Sequence, residues 1–309
     1  MDKKGFELSF GWLFAILVGA IIIFLAIYAA GKVASNQNQM TNTQAGKELG
    51  ILLSPVETSL DSGKSTYITF PRETKVGNIC SEFGNFGAQR INTTGDTGIT
   101  SGDISGVSST FYNKYLFSNT ISSGKTFYVF AKPFEMPYKV ADLIFFWGDK
   151  EYYCFVNPSN NVEDEILGLN LKNIKVVNSV TNCSVGSKKV CFTRSNCDVD
   201  VSMNSQTVRK ENRTMYFEGP LLYGAIFASP EIYECQVKRL MKRDSELALL
   251  YATKADTLAA RGCGSNLRED LIVYADMTLK VDSSSKLSNI AFASDNLERR
   301  NHDLLCQIF

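Results

Sequence analysis

Between Leu8 and Gly31 the chain runs 24 residues without a charged side chain, LSFGWLFAILVGAIIIFLAIYAAG. A bilayer core about 30 Å thick is crossed by about 20 apolar residues at the helical rise, and no proline interrupts this run. Residues 9–31 are therefore predicted to form a transmembrane helix, with membrane lipid as the first partner. A cleaved secretory signal is the competing reading. Its apolar stretch is typically about 7–15 residues, and here the small-residue sequence Ala29-Ala30-Gly31 arrives only after a full span. Lys3 and Lys4 precede the run and Lys32 follows it, so positive-inside weighting places residues 1–8 in the cytoplasm. Phe10 and Trp12 at one end and Tyr28 at the other suit the two interfaces.

All eight cysteines, Cys80, Cys154, Cys183, Cys191, Cys197, Cys235, Cys263 and Cys306, follow the span. An even number on the side that the charge bias places outside implies disulfides. Zinc is the rival, but the chain has no C-x-x-C and its only histidine is His302, so no metal or cofactor is expected. Three sequons, beginning at Asn92, Asn182 and Asn212, also follow the span and are candidate glycosylation sites. Lys+Arg and Asp+Glu are equal at 32 each, which removes the charge footprint of a nucleic-acid binder.

Residues 32–64 turn polar and rich in Asn and Gln. They read either as an outward extension of the span's helix or as a stalk, with Gly31, Gly46 and Gly50 each costing a helix about 1 kcal/mol. Residues 65–229 take on a β texture, with short runs of Val, Ile, Thr, Phe and Tyr broken by turn residues. Gly148-Asp149 and Glu211-Asn212 are predicted hairpin turns, KKVCF and CDVDV a third hairpin, and Asn160 to Leu169 a short helix. At Ser229 the period changes to about 3.6. Ser229-Pro230-Glu231 reads as a helix start and Gly262 or Gly264 as its stop. Tyr233, Val237, Leu240, Leu247, Tyr251, Ala255 and Leu258 form its apolar stripe. Asp244 breaks that stripe, so it either pairs with a neighbouring base or marks a point where the stripe meets water.

A second helix is expected to run to about Val281. A third, capped by Asp282 to Ser285, carries Leu287, Ile290, Ser294, Leu297, Asn301, Leu304 and Ile308 at steps of three and four. Cys235 and Cys263 sit near opposite ends of a helix about 45 Å long and cannot meet. If the second helix climbs and the third descends, Cys306 arrives at the level of Cys263, so that pair is expected to bond. The fold class is thus a membrane-anchored α+β protein: one N-terminal transmembrane helix, a β-sandwich-like ectodomain, and an antiparallel helical module over residues 230–309.

Catalytic motifs are scarce. Gly63-Lys64-Ser65 and Gly124-Lys125-Thr126 lack the first glycine of a phosphate loop and read as turns before strands. His302 falls at a helical surface position near Arg299, Arg300 and Asp303, away from any serine–acid pair. Asp198 and Asp200 alternate along a strand and read as a solvated face rather than a glycosidase or calcium pair. The basic cluster Lys238, Arg239, Lys242 and Arg243 is likewise read as a solvated helix flank. Within the span, Gly11, Ala15 and Gly19 recur every four residues, a face along which a second helix, its own copy or another membrane protein, can approach closely.

Lys3-Lys4-Gly5-Phe6-Glu7, directly before the apolar run, resembles the class III signal of type IV pilin-like proteins. There a peptidase cuts after the glycine and the apolar helix packs filaments. The resemblance implies processing between Gly5 and Phe6, although Glu7 would stand second in the processed chain where many pilins place a glutamate fifth. The runs KPFEMPYKVADLIFF, YYCFV and IYECQVKRLMKR resemble a family of uncharacterised membrane-anchored surface proteins of small-genome archaea, which brings no activity with it. The function expected is that of a non-enzymatic cell-surface protein for envelope structure, adhesion or partner binding. A membrane-tethered enzyme acting on envelope polymers, and an accessory or sensor subunit of a membrane complex, are the alternatives.

Overall fold

The computed structural model describes residues 11–12, 14–32, 65–95, 107–193 and 196–309. Gly5, Phe6, the segment 33–64 and the first glycine–lysine pair, Gly63-Lys64, lie outside them. Helix α1 (Phe14–Lys32) is long and apolar enough to cross a bilayer and lies near the N-terminus, as a signal sequence also would. Its large side chains, among them Phe24, Ile27 and Tyr28, are exposed along its length.

Two six-stranded sheets follow. The first contains β1 (Ser65–Ser81), β2 (Ala88–Gly95), β3 (Val107–Phe111), β4 (Tyr115–Phe117), β5 (Ile121–Glu135) and β6 (Lys139–Gly148), in the spatial order β3-β2-β1-β5-β6-β4. Its strands alternate as the period of two requires. Along β6, Leu143, Phe145 and Trp147 enter the main core, while Ile144 and Phe146 join a smaller cluster with Phe127 and Val129. The second sheet contains β7 (Tyr153–Val156), β8 (Ile174–Val177), β9 (Lys188–Cys191), β10 (Val199–Ser202), β11 (Thr207–Lys210) and β12 (Arg213–Tyr216), ordered β12-β11-β10-β9-β7-β8. Helix α2 (Asn160–Gly168) links β7 to β8 where the sequence predicts it.

The architecture is mixed α/β, and four of the ten strand pairs among the described residues are parallel, which a purely antiparallel sandwich does not contain. The Glu211-Asn212 hairpin forms as expected: both residues take positive φ, 52° and 59°, and Lys210 pairs Arg213 across the turn. The other two expected hairpins do not form. After Gly148 the chain turns, but β6 and β7 belong to different sheets. The Asp149 carboxylate accepts the backbone N–H of Thr126, which ties the turn to β5 while the strand beyond it leaves. KKVCF and CDVDV are neighbours but parallel, Val190 opposite Val199. Parallel neighbours usually need a crossover of a dozen residues or more. Here the Cys191–Cys197 disulfide closes a much shorter return, and the Asp200 and Asp198 carboxylates accept the N–H groups of Cys197 and Lys189.

Four helices complete the body. Helix α3 (Leu221–Phe227) is buried at every residue and packs against β6 and β11, one from each sheet. Helix α4 (Pro230–Ala260) starts with Ser229 at the N-cap and proline in the first turn, and stops where Gly262 takes φ 85° and Cys263 N–H returns to the Leu258 carbonyl. Helix α5 (Arg268–Leu279) packs against α4, and α6 (Leu287–His302) packs against α5. The α6 stripe is buried at Leu287, Ile290, Ser294, Leu297 and Asn301. Beyond His302 the helix ends, and the Asn301 amide holds the last turn by bonding the Phe309 carbonyl and the Ile308 N–H.

Candidate functional site

The chemistry of the body concentrates along the first half of α4, where the period of 3.6 delivers Gln236, Arg239 and Asp244 to the buried side. All three are fully buried. Gln236 donates to the Leu116 carbonyl at 3.1 Å, an acceptor it shares with Asn78 and Gln89, and Gln89 donates to Asn78 at 2.8 Å. These amides knit α4, β1, β2 and β4 into one satisfied polar layer.

Arg239 extends that layer. Its guanidinium donates to the carbonyls of Phe86 (3.1 Å), Lys114 (3.0 Å) and Tyr112 (2.9 Å) and to Gln236 Oε1 (2.8 Å), and it lies over the Tyr115 ring at 4.9 Å. Burial lowers its pKa to about 10. Lys242 donates to the Glu82 and Gly84 carbonyls, Arg243 to the Val140 carbonyl, and Lys238 pairs with the Glu82 carboxylate at 2.9 Å. The solvated flank expected for this basic cluster is therefore corrected. Arg239 and Lys242 clamp loop carbonyls and Arg243 a strand carbonyl, a partner type that periodicity cannot reveal because every residue supplies one.

Asp244 sits further along α4, against α5 and the turn between β5 and β6. Neither expectation for it holds: it is buried, and among the described residues no base pairs with it. Tyr274 Oη lies 2.6 Å from Oδ2, and the Tyr138 hydroxyl donates to the Asp244 carbonyl at 3.2 Å. Burial pushes the carboxyl pKa up to about 8 against the downward pull of the two tyrosines. A second perturbed group, Lys210, is buried with Nζ donating to the Ile226 and Ala228 carbonyls at the end of α3, and burial lowers its pKa to about 8.

The other singled-out residues are dispersed. Gly11, Ala15 and Gly19 lie on the N-terminal helical segment, with open space where a Cβ would stand on either glycine. Asn182 and Asn212 are exposed, whereas Asn92 is half-buried in mid-sheet and its Oδ1 has no hydrogen-bond partner among the described residues. Gly124-Lys125-Thr126 lies within β5 at a register shift rather than in a turn, and a Cβ on Gly124 would meet Asp149 Oδ1 at 2.3 Å. Asp200 pairs with Arg209 at 2.9 Å, and His302 is exposed at the end of α6. Cys263 and Cys306 are paired with a Cα separation of 6.1 Å, as are Cys80–Cys235, Cys154–Cys183 and Cys191–Cys197 at 6.1, 5.7 and 6.0 Å. No protein-family model, curated protein or solved structure matches this chain.

Proposed function

We propose that the chain is a non-enzymatic cell-surface protein, anchored by α1 with residues 1–8 in the cytoplasm and the disulfide-bonded body outside. The observation that carries this reading is the pairing of all eight cysteines in a body that follows an exposed apolar helix. Disulfides persist in oxidising compartments, and an apolar helix with no buried face is stable in lipid. The two sheets share one core with α3 and are read as a sandwich-like ectodomain. A non-catalytic use is supported by the perturbed groups: Arg239 and Lys210 spend their charge on main-chain carbonyls, and Asp244 is sealed behind two tyrosines.

Processing between Gly5 and Phe6, and lateral packing through Gly11, Ala15 and Gly19, belong to the same reading through the pilin-like N-terminus. Mass spectrometry of the protein purified from membranes without reductant tests it. The expected result is four disulfides in the pairing above, none of the cysteines open to alkylation, and a mature chain that retains residues 9–31. Free thiols throughout, or a chain that begins after Gly31, would contradict it.

A further inference from the structure

The loops 82–87 and 112–114 meet at one end of the first sheet, because the single guanidinium of Arg239 bonds the main chain of both. Their side chains point outward: Phe83 is 85% exposed, Tyr112 64% and Phe86 39%. Ile79, 44% exposed, stands beside them on β1 opposite Arg90. Single apolar residues on a surface are ordinary, but here the fold fixes the loops that carry them. Arg239 and Lys242 hold their carbonyls, the Cys80–Cys235 disulfide ties β1 to α4 just beneath, and Gly87 turns at φ 60° where a Cβ would meet the Ser81 carbonyl at 2.4 Å. A loop braced in this way loses little conformational freedom when its tip is engaged.

The exposed charge around the tip is mainly positive. Arg90, Lys242 and Arg243 stand beside it, Lys238 is paired with Glu82, and Glu246, one turn from Lys242 on α4, is the further acid on that flank. Aromatic rings set among cations match the headgroup layer of an anionic bilayer, where rings rest at the interface and cations meet phosphate. We propose that this tip docks on an anionic lipid bilayer, with Phe83, Phe86 and Tyr112 entering the headgroup region. The proposal rests on the anchor reading, which supplies the bilayer. The tip lies at the opposite end of β1 from Ser65, roughly 55 Å away for 17 residues at strand rise. The chain between α1 and β1, residues 33–64, can span roughly 110 Å when extended, enough for the tip to reach the membrane that holds α1.

The test uses the full chain in vesicles of phosphatidylglycerol and phosphatidylcholine, with acyl chains brominated or unbrominated. Trp12 reports the anchor, and Trp147, fully buried, contributes a constant background. In a variant carrying Trp12→Phe and Phe83→Trp, tip fluorescence is expected to shift to the blue and to be quenched by brominated chains. A second reporter, Tyr112→Trp in the same background, should behave alike. Arg90→Gln is expected to lower the ratio of docked to undocked tip about fivefold, the effect of one cation at an anionic surface. If Trp12 is quenched while both tip reporters stay unquenched and open to aqueous iodide, the docking proposal is overturned and the anchor stands. An unquenched Trp12 overturns the anchor reading itself. Tip quenching as strong in phosphatidylcholine alone overturns the assignment to anionic lipid.

Discussion

The phenolic oxygen of Tyr274 lies 2.6 Å from Oδ2 of Asp244 and 2.9 Å from the carbonyl oxygen of Met136. Tyr274 has one proton for these two acceptors. Both contacts become hydrogen bonds when the carboxyl is protonated and donates to the phenol, which then donates to Met136. The upward pKa of Asp244 agrees with that proton count, and the unpartnered Oδ1 costs less on a neutral acid than on a carboxylate. The groups that face Asp244 are the hydroxyls of Tyr138 and Tyr274, neither of them a cation.

A pH dependence follows with a definite sign. Asp244 titrates near 3.9 in the unfolded chain and at about 8 in the folded one. Between those values the native state holds a proton that the unfolded state releases, so stability falls as pH rises. The contribution is complete below the unfolded value and is lost as pH climbs through about 8. Asp244→Asn keeps the shape without the charge. The stability difference between parent and variant, from urea unfolding, is expected to decline by about 1.4 kcal/mol per pH unit between pH 5 and 7. A difference that does not change with pH would contradict the protonated acid.

Replacing Arg239 by Met removes the donor from three loop carbonyls and from Gln236. Unsatisfied buried polar groups cost about 1–3 kcal/mol each, so a loss of about 3 kcal/mol or more is expected in chemical denaturation. Arg299→Met, on the exposed face of α6, should stay within about 0.5 kcal/mol.

Gly224 lies in α3, and a Cβ there would stand 2.6 Å from the buried ring of Phe117. Gly224→Ala is expected to destabilise by about 1–3 kcal/mol through overpacking, despite the better helix propensity of alanine. Thermal unfolding measures it, and a raised Tm would show that α3 and β4 are not in contact.

Among the disulfides, Cys80–Cys235 closes a separation of 155 residues and Cys191–Cys197 only 6. Loop-closure entropy assigns them roughly 5 and roughly 2 kcal/mol. Paired Cys→Ala substitutions should therefore rank in that order by denaturant midpoint.

Much of the helical module is legible in the sequence, because its signals are local. Ser229-Pro230 fixes the start of α4, Gly262 its stop, and Ser283 caps the short 3-10 turn before α6. The hairpin at Glu211-Asn212 is legible for the same reason. Helix α3 leaves no period to read, since it is apolar on every side and buried on every side. Strand partnership is equally silent in β6 and β7, whose turn signal is correct but whose sheets differ, and in β9 and β10, where a disulfide-closed return makes the neighbours parallel. The clamps made by Arg239 and Lys242 are invisible to pattern because carbonyl acceptors carry no residue identity. The break at Asp244 is visible in the stripe, but tyrosines 30 and 106 residues away in sequence decide its meaning.

The most direct test of the account is protease accessibility on intact cells expressing the chain with an epitope tag before Lys3 and with Gly5→Leu, which blocks cleavage at Gly5-Phe6 and so keeps the tag attached, with antibodies used against the body. The predicted result is that external protease digests residues after Lys32 under reducing conditions while the tag remains protected until the membrane is opened. A tag that is cleaved on intact cells while the body stays protected would contradict the anchored, outward-facing arrangement.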